Sequence, residues 1–530
     1  MFDGTAFPIP RNGGQRCQQA IAPLLAVAVT MAIVQSRPAL AQATPTPLTE
    51  AQRAHVEQQL QELRTMRDEM SRNMQQFDAR IGALEEELHG AMPQNAPVAA
   101  VTGGAAPATV ATGGTGTAPA ARATPQSTVP PEKWGSYQDL KGITLADNDW
   151  GNFVFNLTAY MRYLNQTATD TTYTDYFGRT YKIDRRQDFQ LAKVQMTFRG
   201  WIFDPKFNWN FYVWTSNASQ GQGAQVVSAG NLHYDFSDAF QLYVGIHSLP
   251  STRSTNRSFP YWLRNDNRPI ADEFFRGSYT QGIWAQGTIR PGLEYRAMLA
   301  NNLSALGVSA GQLDAKIDTV SGALVWMPTT GEFGPLKGFG DYEHHDKLAT
   351  LLGVHYTTST EDRQSQPNTE GIENTQLRLS DGTIIFAPNA FNTNGQISQA
   401  RYRMLDFEAG AKYGGYSLEA EYYWRWLDQF HYTGIIPVTS LYDTGFQLQA
   451  SAMLIPNRLQ AYVSGSKIFG QYGDPYDVGL GLNWFPFRRK EMRINVMGID
   501  VHNSPVGYTA YPTLVGMDGW VFLTDVALNL

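Results

Sequence analysis

From residue 152 to residue 530 the chain repeats with a period of two, and no other feature limits its fold as strongly. In QLAKVQMTFRGWIF, Ala192, Val194, Met196, Phe198, Gly200 and Ile202 are apolar or small, while Lys193, Gln195, Thr197 and Arg199 are polar. A DPK turn follows, after which Phe207, Trp209, Phe211 and Val213 alternate with Asn208 and Asn210. Tyr416, Leu418, Ala420, Tyr422 and Trp424 stand against Ser417, Glu419, Glu421 and Arg425 in the same way. Residues 446–454 and 459–465 repeat the pattern on either side of IPNR. Successive strand residues point to opposite faces, so each segment reads as a strand with one apolar and one polar side. Strands of a soluble sandwich run to about 5–6 residues. The longest runs here reach the roughly 9–11 residues that cross a bilayer on a tilt.

Composition agrees. Aromatic residues make up 12% of the chain and charged residues only 17%, against about 25% charged in soluble domains. No run of 18 apolar residues follows Val34, so a membrane-spanning helix is not expected. These features together predict an all-β transmembrane barrel over residues 150–530. At roughly 24 residues per strand and connection, that length accommodates about 16 antiparallel strands, with 18 as the alternative count. The last segment, GWVFLTDVALNL, alternates Phe522, Thr524, Val526, Leu528 and Leu530. An apolar strand ending at Leu530 is expected to pair with the first strand and close the cylinder. A cylinder of 16 to 18 strands encloses water.

The segments before the barrel differ in kind. Residues 20–34 form an apolar run preceded by Arg11 and Arg16 and followed by Ala39-Leu40-Ala41, the pattern of an export signal over residues 1–41. The one cysteine, Cys17, lies inside it, so no disulfide framework is expected in the mature chain. Over residues 49–89 the apolar spacing alternates four and three: Val56, Leu60, Leu63, Met70, Met74, Phe77, Ile81, Leu84 and Leu88, with Arg67 at the one missing seam position. This narrow stripe, flanked by interleaved charges, predicts an oligomerising coiled coil more than a lone amphipathic helix. Residues 90–132 are mostly Ala, Pro, Gly and Thr and read as a disordered linker.

One stretch breaks the period. Between strands near residues 240–246 and 283 lies STRSTNRSFPYWLRNDNRPIADEFFR, residues 251–276, with five arginines against three carboxylates in a chain of net charge −7. Its Phe259, Tyr261, Trp262, Phe274 and Phe275 predict that it packs rather than floats, and we read it as a loop folded into the lumen. Arg253, Arg257, Arg264, Arg268 and Arg276 then stand near the constriction. Fixed guanidinium charges there would concentrate anions and bind carboxylate or phosphate through paired N–H donors. Lys193, Arg199 and Arg425 are further pore-lining candidates, although Glu419 and Glu421 share the inner face of the Arg425 strand. Two other readings stay open: Asp266, Asp272 and Glu273 neutralise part of the arginine set, or the loop lies outside and binds lipopolysaccharide.

WGNFVFNLTAYMRYL at the opening of the barrel, RRQDFQLAKVQMTFRGWIFDPKFNWNFYVW, VGIHSLPSTRSTNR and GLNWFPFRRKEMRINV together resemble the phosphate-selective porins of the O and P type. The resemblance covers about residues 150–530. It implies a 16-stranded homotrimeric channel in the cell outer membrane, set in lipid and lipopolysaccharide, that favours small anionic solutes. In that family the constriction draws on lysines as well as arginines, and residues 251–276 contain no lysine. The coiled coil and linker are expected in the periplasm, where the coiled coil could contact a partner.

No active site is legible. The nine histidines are scattered, and the densest group, Glu343, His344, His345 and Asp346 in GDYEHHDK, reads as a charged surface loop. No catalytic residue, metal site, cofactor or nucleic-acid partner is expected. Tyr212, Trp214 and Tyr423 fall on the polar faces of their strands and keep a sugar channel open, and a structural anchor working through the coiled coil is a third possibility.

Overall fold

The computed structural model describes residue 61 and residues 135–138, 141–217, 225–256, 258–306, 316–362, 376–508 and 511–530. The export-signal, coiled-coil and linker readings lie outside the described residues. The fold belongs to the compact unit Arg122–Leu530.

Sixteen antiparallel strands close on themselves. In chain order they are β1 (Gly151–Thr169), β2 (Gln187–Ile202), β3 (Asp204–Asn217), β4 (Gln225–Ser237), β5 (Phe240–Ser248), β6 (Tyr279–Arg290), β7 (Leu293–Ala300) and β8 (Thr319–Trp326). The second half comprises β9 (Ala349–Asp362), β10 (Gln396–Tyr413), β11 (Tyr416–Thr433), β12 (Leu441–Ile455), β13 (Leu459–Phe469), β14 (Tyr476–Trp484), β15 (Met492–His502) and β16 (Gly519–Asn529). Each strand pairs with the next, and β16 pairs back onto β1 from Thr158↔Asn529 to Thr169↔Gly519. Beyond that point the Leu530 N–H donates to Leu157 O at 2.8 Å. A short strand, Gly142–Asn148, then takes over the same edge of β1, pairing Ile143 with Phe155 and Asn148 with Gly151. Both edges of β1 are thus paired, as a closed cylinder requires where no water can satisfy backbone groups.

The predicted period of two sorts the side chains. On β11, Ser417, Glu419, Glu421, Tyr423, Arg425 and Leu427 are buried inside, while Leu418 is 54% exposed on the outside. Leu448, Leu480 and Phe522, at 47%, 57% and 46%, continue that apolar exterior. Polar inside and apolar outside is the reverse of a soluble core, and it makes the outer wall a surface for lipid.

In β2 the alternation slips once. Tyr160 pairs with Lys193 and Met161 with Leu191, so Ala192 is an extra, unpaired residue. This bulge leaves Phe189 and Leu191 facing out on odd positions and Met196 facing out on an even one. Ala192, grouped by the plain alternation with the outer face, is instead buried on the inside beside Tyr160 and Ala527.

One rim carries tight turns. Between β10 and β11 the turn is Gly414-Gly415, with φ of 60° and 88°. Two successive left-handed residues match the twist of the flanking strands, and glycine adopts them without a Cβ clash. The opposite rim carries the long connections 170–186, 249–278, 376–395 and 503–518.

Candidate functional site

The connection between β5 and β6 does not stay at the rim. Its apolar residues Leu249, Trp262, Leu263, Phe274 and Phe275 are buried in one cluster with Tyr402, Tyr423, Tyr462 and Ile468, inner-face residues of β10, β11 and β13. It includes a short helix, α1 (Ile270–Phe275), which lies against β12, β13 and β14. Starting from one wall of the cylinder, the segment therefore crosses the interior and docks on the other. Burying each large apolar side chain contributes about 1.5–3 kcal/mol, enough to hold a segment with little regular structure.

Polar contacts fix its course. Arg493 Nη1 donates to Trp262 O at 2.6 Å, Asn483 Nδ2 to Leu263 O at 3.1 Å, and Arg162 Nη2 to Asn265 O at 3.0 Å. Arg162, on β1, also meets Asp525 of β16 at 2.7 Å.

The arginines of the stretch fall into two groups. Arg253, 3% exposed, meets Glu419 at 2.5 Å and Glu408 at 3.6 Å, and its backbone N–H donates to Glu421 Oε1 at 2.8 Å. Arg264 pairs with Asp477, and its Nε donates to Ser464 Oγ at 2.6 Å. Both are thus neutralised by carboxylates of the β10–β14 wall. Arg425 belongs with them, meeting Asp443 at 2.6 Å and lying 3.9 Å over the Phe274 ring. Arg268 and Arg276 share Glu273, the former at 3.3 Å. Arg268 also stacks on Trp262, 4.3 Å from the ring centroid. Arg257 lies outside the described residues.

A second segment enters from the tight-turn rim, and sequence reading did not anticipate it. Residues 327–348, between β8 and β9, bury Phe333 and Phe339 inside the cylinder. The Phe339 N–H donates to Tyr261 O at 2.7 Å, and Arg253 Nη2 donates to Lys337 O at 2.9 Å. Segments from opposite rims therefore meet in mid-barrel. Glycines permit the approach: a Cβ on Gly338 would lie 2.4 Å from Tyr261 Cβ. The group read as a surface loop belongs to this segment, where Glu343 pairs with Lys490, and His345 faces Asp341 and Glu332. Burial raises the Asp341 pKa, but hydrogen bonds from the His345 side chain and the Gly415 and His345 backbone N–H groups outweigh it, and the net direction is downward. Among the described residues no group of three or more His, Cys, Asp or Glu is placed to hold a metal ion. The available signal was the glycine-rich FGPLKGFG inside a 22-residue connection on a rim of tight turns.

With β9–β15 covered, the open space is a cavity of about 660 Å³ between the β5–β6 segment and strands β1–β6. Its charged lining is Lys141, Lys193, Arg199, Arg268 and Arg276 against one carboxylate, Asp266, which meets Lys193 at 2.7 Å. None of Glu408, Glu419, Glu421, Asp443 or Asp477 reaches it. Of the candidates named from sequence, Lys193, Arg199, Arg268 and Arg276 line this one space, Lys193 paired with Asp266 and the last two with Glu273, whereas Arg253, Arg264 and Arg425 stand behind it in ion pairs with the β10–β14 wall. Aromatic side chains form much of the remaining wall, among them Tyr212, Trp214, Phe259, Trp262, Tyr279 and Trp284.

No known family model matches the chain, and no curated protein matches it. Solved structures to which it is similar include an anion-selective porin from Comamonas acidovorans, at 11% identity and a TM-score of 0.44, covering 72% of this chain and 99% of that one. OmpF of Salmonella typhi in complex with daunomycin aligns at 12% identity and a TM-score of 0.44, covering 73% and 100%. The outer membrane channel DcaP of Acinetobacter baumannii aligns at 6% identity and a TM-score of 0.46, covering 74% and 100%.

Proposed function

We propose that this protein is an outer-membrane porin, a water-filled channel through which small anions diffuse passively. The observation that carries the reading is the lining of the open half, five cationic side chains against Asp266 in the lining and Glu273 behind Arg268 and Arg276, inside a closed wall whose outside is apolar. Charges set in a low-dielectric wall focus their field on the passage and enrich the opposite sign within it. The cations come from β2, through Lys193 and Arg199, from Lys141 just before the short strand Gly142–Asn148, and from the infolded segment, through Arg268 and Arg276 with their shared Glu273. Lysine thus enters from β2, where residues 251–276 supply none. This supports the likeness to the phosphate-selective porins at the level of charge. The heptad stripe between Val56 and Leu88 supports an oligomerising coiled coil without fixing the number of chains, and a homotrimer with that coiled coil in the periplasm suits the porin reading. Reconstituted in a planar bilayer under a potassium chloride gradient, the protein is expected to give a reversal potential on the chloride side. A potential on the potassium side would overturn the anion reading, and absence of conductance would overturn the channel.

A further inference from the structure

We infer that the preferred anions are polyhydroxylated carboxylates of the sugar-acid class, held by a row of one guanidinium and two carboxamides on the inner face of β2–β4. This rests on the anion-channel reading and narrows it. Ladder pairing sets Arg199 of β2 directly opposite Asn210 of β3, and Asn210 directly opposite Asn231 of β4. Directly opposed residues share one face of a sheet, and all three line the open cavity. Neighbouring strands stand roughly 4.8 Å apart, so the row runs roughly 10 Å around the wall with its charge at one end.

These two amides differ from their neighbours in being unused. Asn152 Oδ1 accepts from the Trp201 N–H at 2.9 Å, and Asn156 Nδ2 donates to Leu530 O. Asn208 Nδ2 donates to Asp235 Oδ2 at 3.0 Å, and Gln195 Nε2 to Thr197 Oγ1 at 3.2 Å. Asn210 and Asn231 make no side-chain hydrogen bond among the described residues, and their amide atoms are not sealed off but keep surface open to the cavity. Asp266, the one carboxylate of the lining, is held by Lys193 at 2.7 Å, while Asp235 takes Asn208, has His233 at 3.9 Å and does not reach the cavity.

The row specifies its solute. A guanidinium takes a carboxylate through two parallel N–H donors. A free carboxamide offers N–H donors and an acceptor oxygen side by side. A hydroxyl both donates and accepts, so it satisfies either end of the amide, whereas chloride or acetate leaves the oxygen unmatched. A carboxylate with hydroxyls along its chain therefore meets the whole row. An alkyl acid of the same length meets only Arg199, and a neutral polyol meets only the amides.

The test is block of chloride current through the reconstituted wild-type channel by gluconate, hexanoate and sorbitol, matched in chain length and each added to one side. Half-block by gluconate is expected at a concentration about tenfold below that for either of the others, as two added hydrogen bonds allow. Asn210→Ala and Asn231→Ala should each bring gluconate toward hexanoate, and Arg199→Gln should weaken block by both acids but not by sorbitol. A chloride-selective wild-type channel blocked equally by gluconate and hexanoate would overturn this inference and leave the anion reading standing. So would gluconate block that neither asparagine change weakens. A wild-type channel without chloride preference would overturn both.

Discussion

The two halves of the barrel interior are built from the same kind of strand and do opposite things with charge. Along β10–β14 the carboxylates Glu408, Glu419, Asp443 and Asp477 are consumed by Arg253, Arg425 and Arg264, and two infolded segments cover the result. Along β1–β6 the cations outnumber the carboxylates, and aromatic rings rather than loops cover the wall. An arginine's role here depends on which wall it faces. The same residue type within one 26-residue stretch is a rivet at Arg253 and Arg264, which pair with the β10–β14 wall, and borders the cavity at Arg268 and Arg276, which share Glu273 of their own segment.

The sharpest way to break this contrast is to remove a rivet. Arg253→Ala leaves Glu419 buried without its cation, and Glu408 with His355 alone, a change that costs about 3–5 kcal/mol. Both infolded segments are expected to loosen, giving a larger single-channel conductance and a lower unfolding temperature on heated gels; unaltered conductance would show that the filled half is held without it. Charge reversal in the open half comes next. Lys193→Glu changes the lining from five cations and one carboxylate to four and two, and should move the reversal potential toward cations with little change in conductance. Arg264→Ala is the paired control, because Asp477 and Ser464 do not line the cavity: it should lower thermal stability and leave the sign of selectivity unchanged.

Acid gives a smaller effect. Asp341 has a folded pKa below its ordinary value of 3.8, so it stabilises the 327–348 segment above that pH, and the contribution is lost as the pH falls through the depressed value. Conductance should therefore rise only below pH 3.8, and Asp341→Asn should abolish the rise. Smallest is Gly415→Ala, where φ is 88° and a Cβ would lie 2.7 Å from His344 Nε2. It should cost about 1–3 kcal/mol, read as a lower unfolding temperature with unaltered selectivity.

These contrasts also mark what sequence discloses. The wall was legible because lipid on one side and water or packed polar groups on the other impose a strict period, visible in Leu418 against Glu419 without any knowledge of neighbours. The infolding of residues 251–276 was legible because five aromatic side chains in a Pro-containing loop need a surface to cover. The partners of its arginines were not. Glu419 is recognisable as an inward residue, but its pairing with Arg253 joins positions 166 apart in the chain, and nothing local encodes that distance. The 327–348 segment was missed because its cue is glycine, which signals a close approach without naming what approaches. The bulge at Ala192 was missed because alanine is tolerated on either face.

That bulge has a bearing on how the gene can change. A strand with two solvents is a reading frame, and loss of one codon ordinarily exchanges its wet and oily sides from that point to the next turn. Ala192 is the surplus letter in β2. Its deletion would restore unbroken alternation, with Leu191 and Val194 still turned to lipid and Lys193 still turned inward. Deletion of Gln195, three letters later, would push a lysine or an arginine into hydrocarbon.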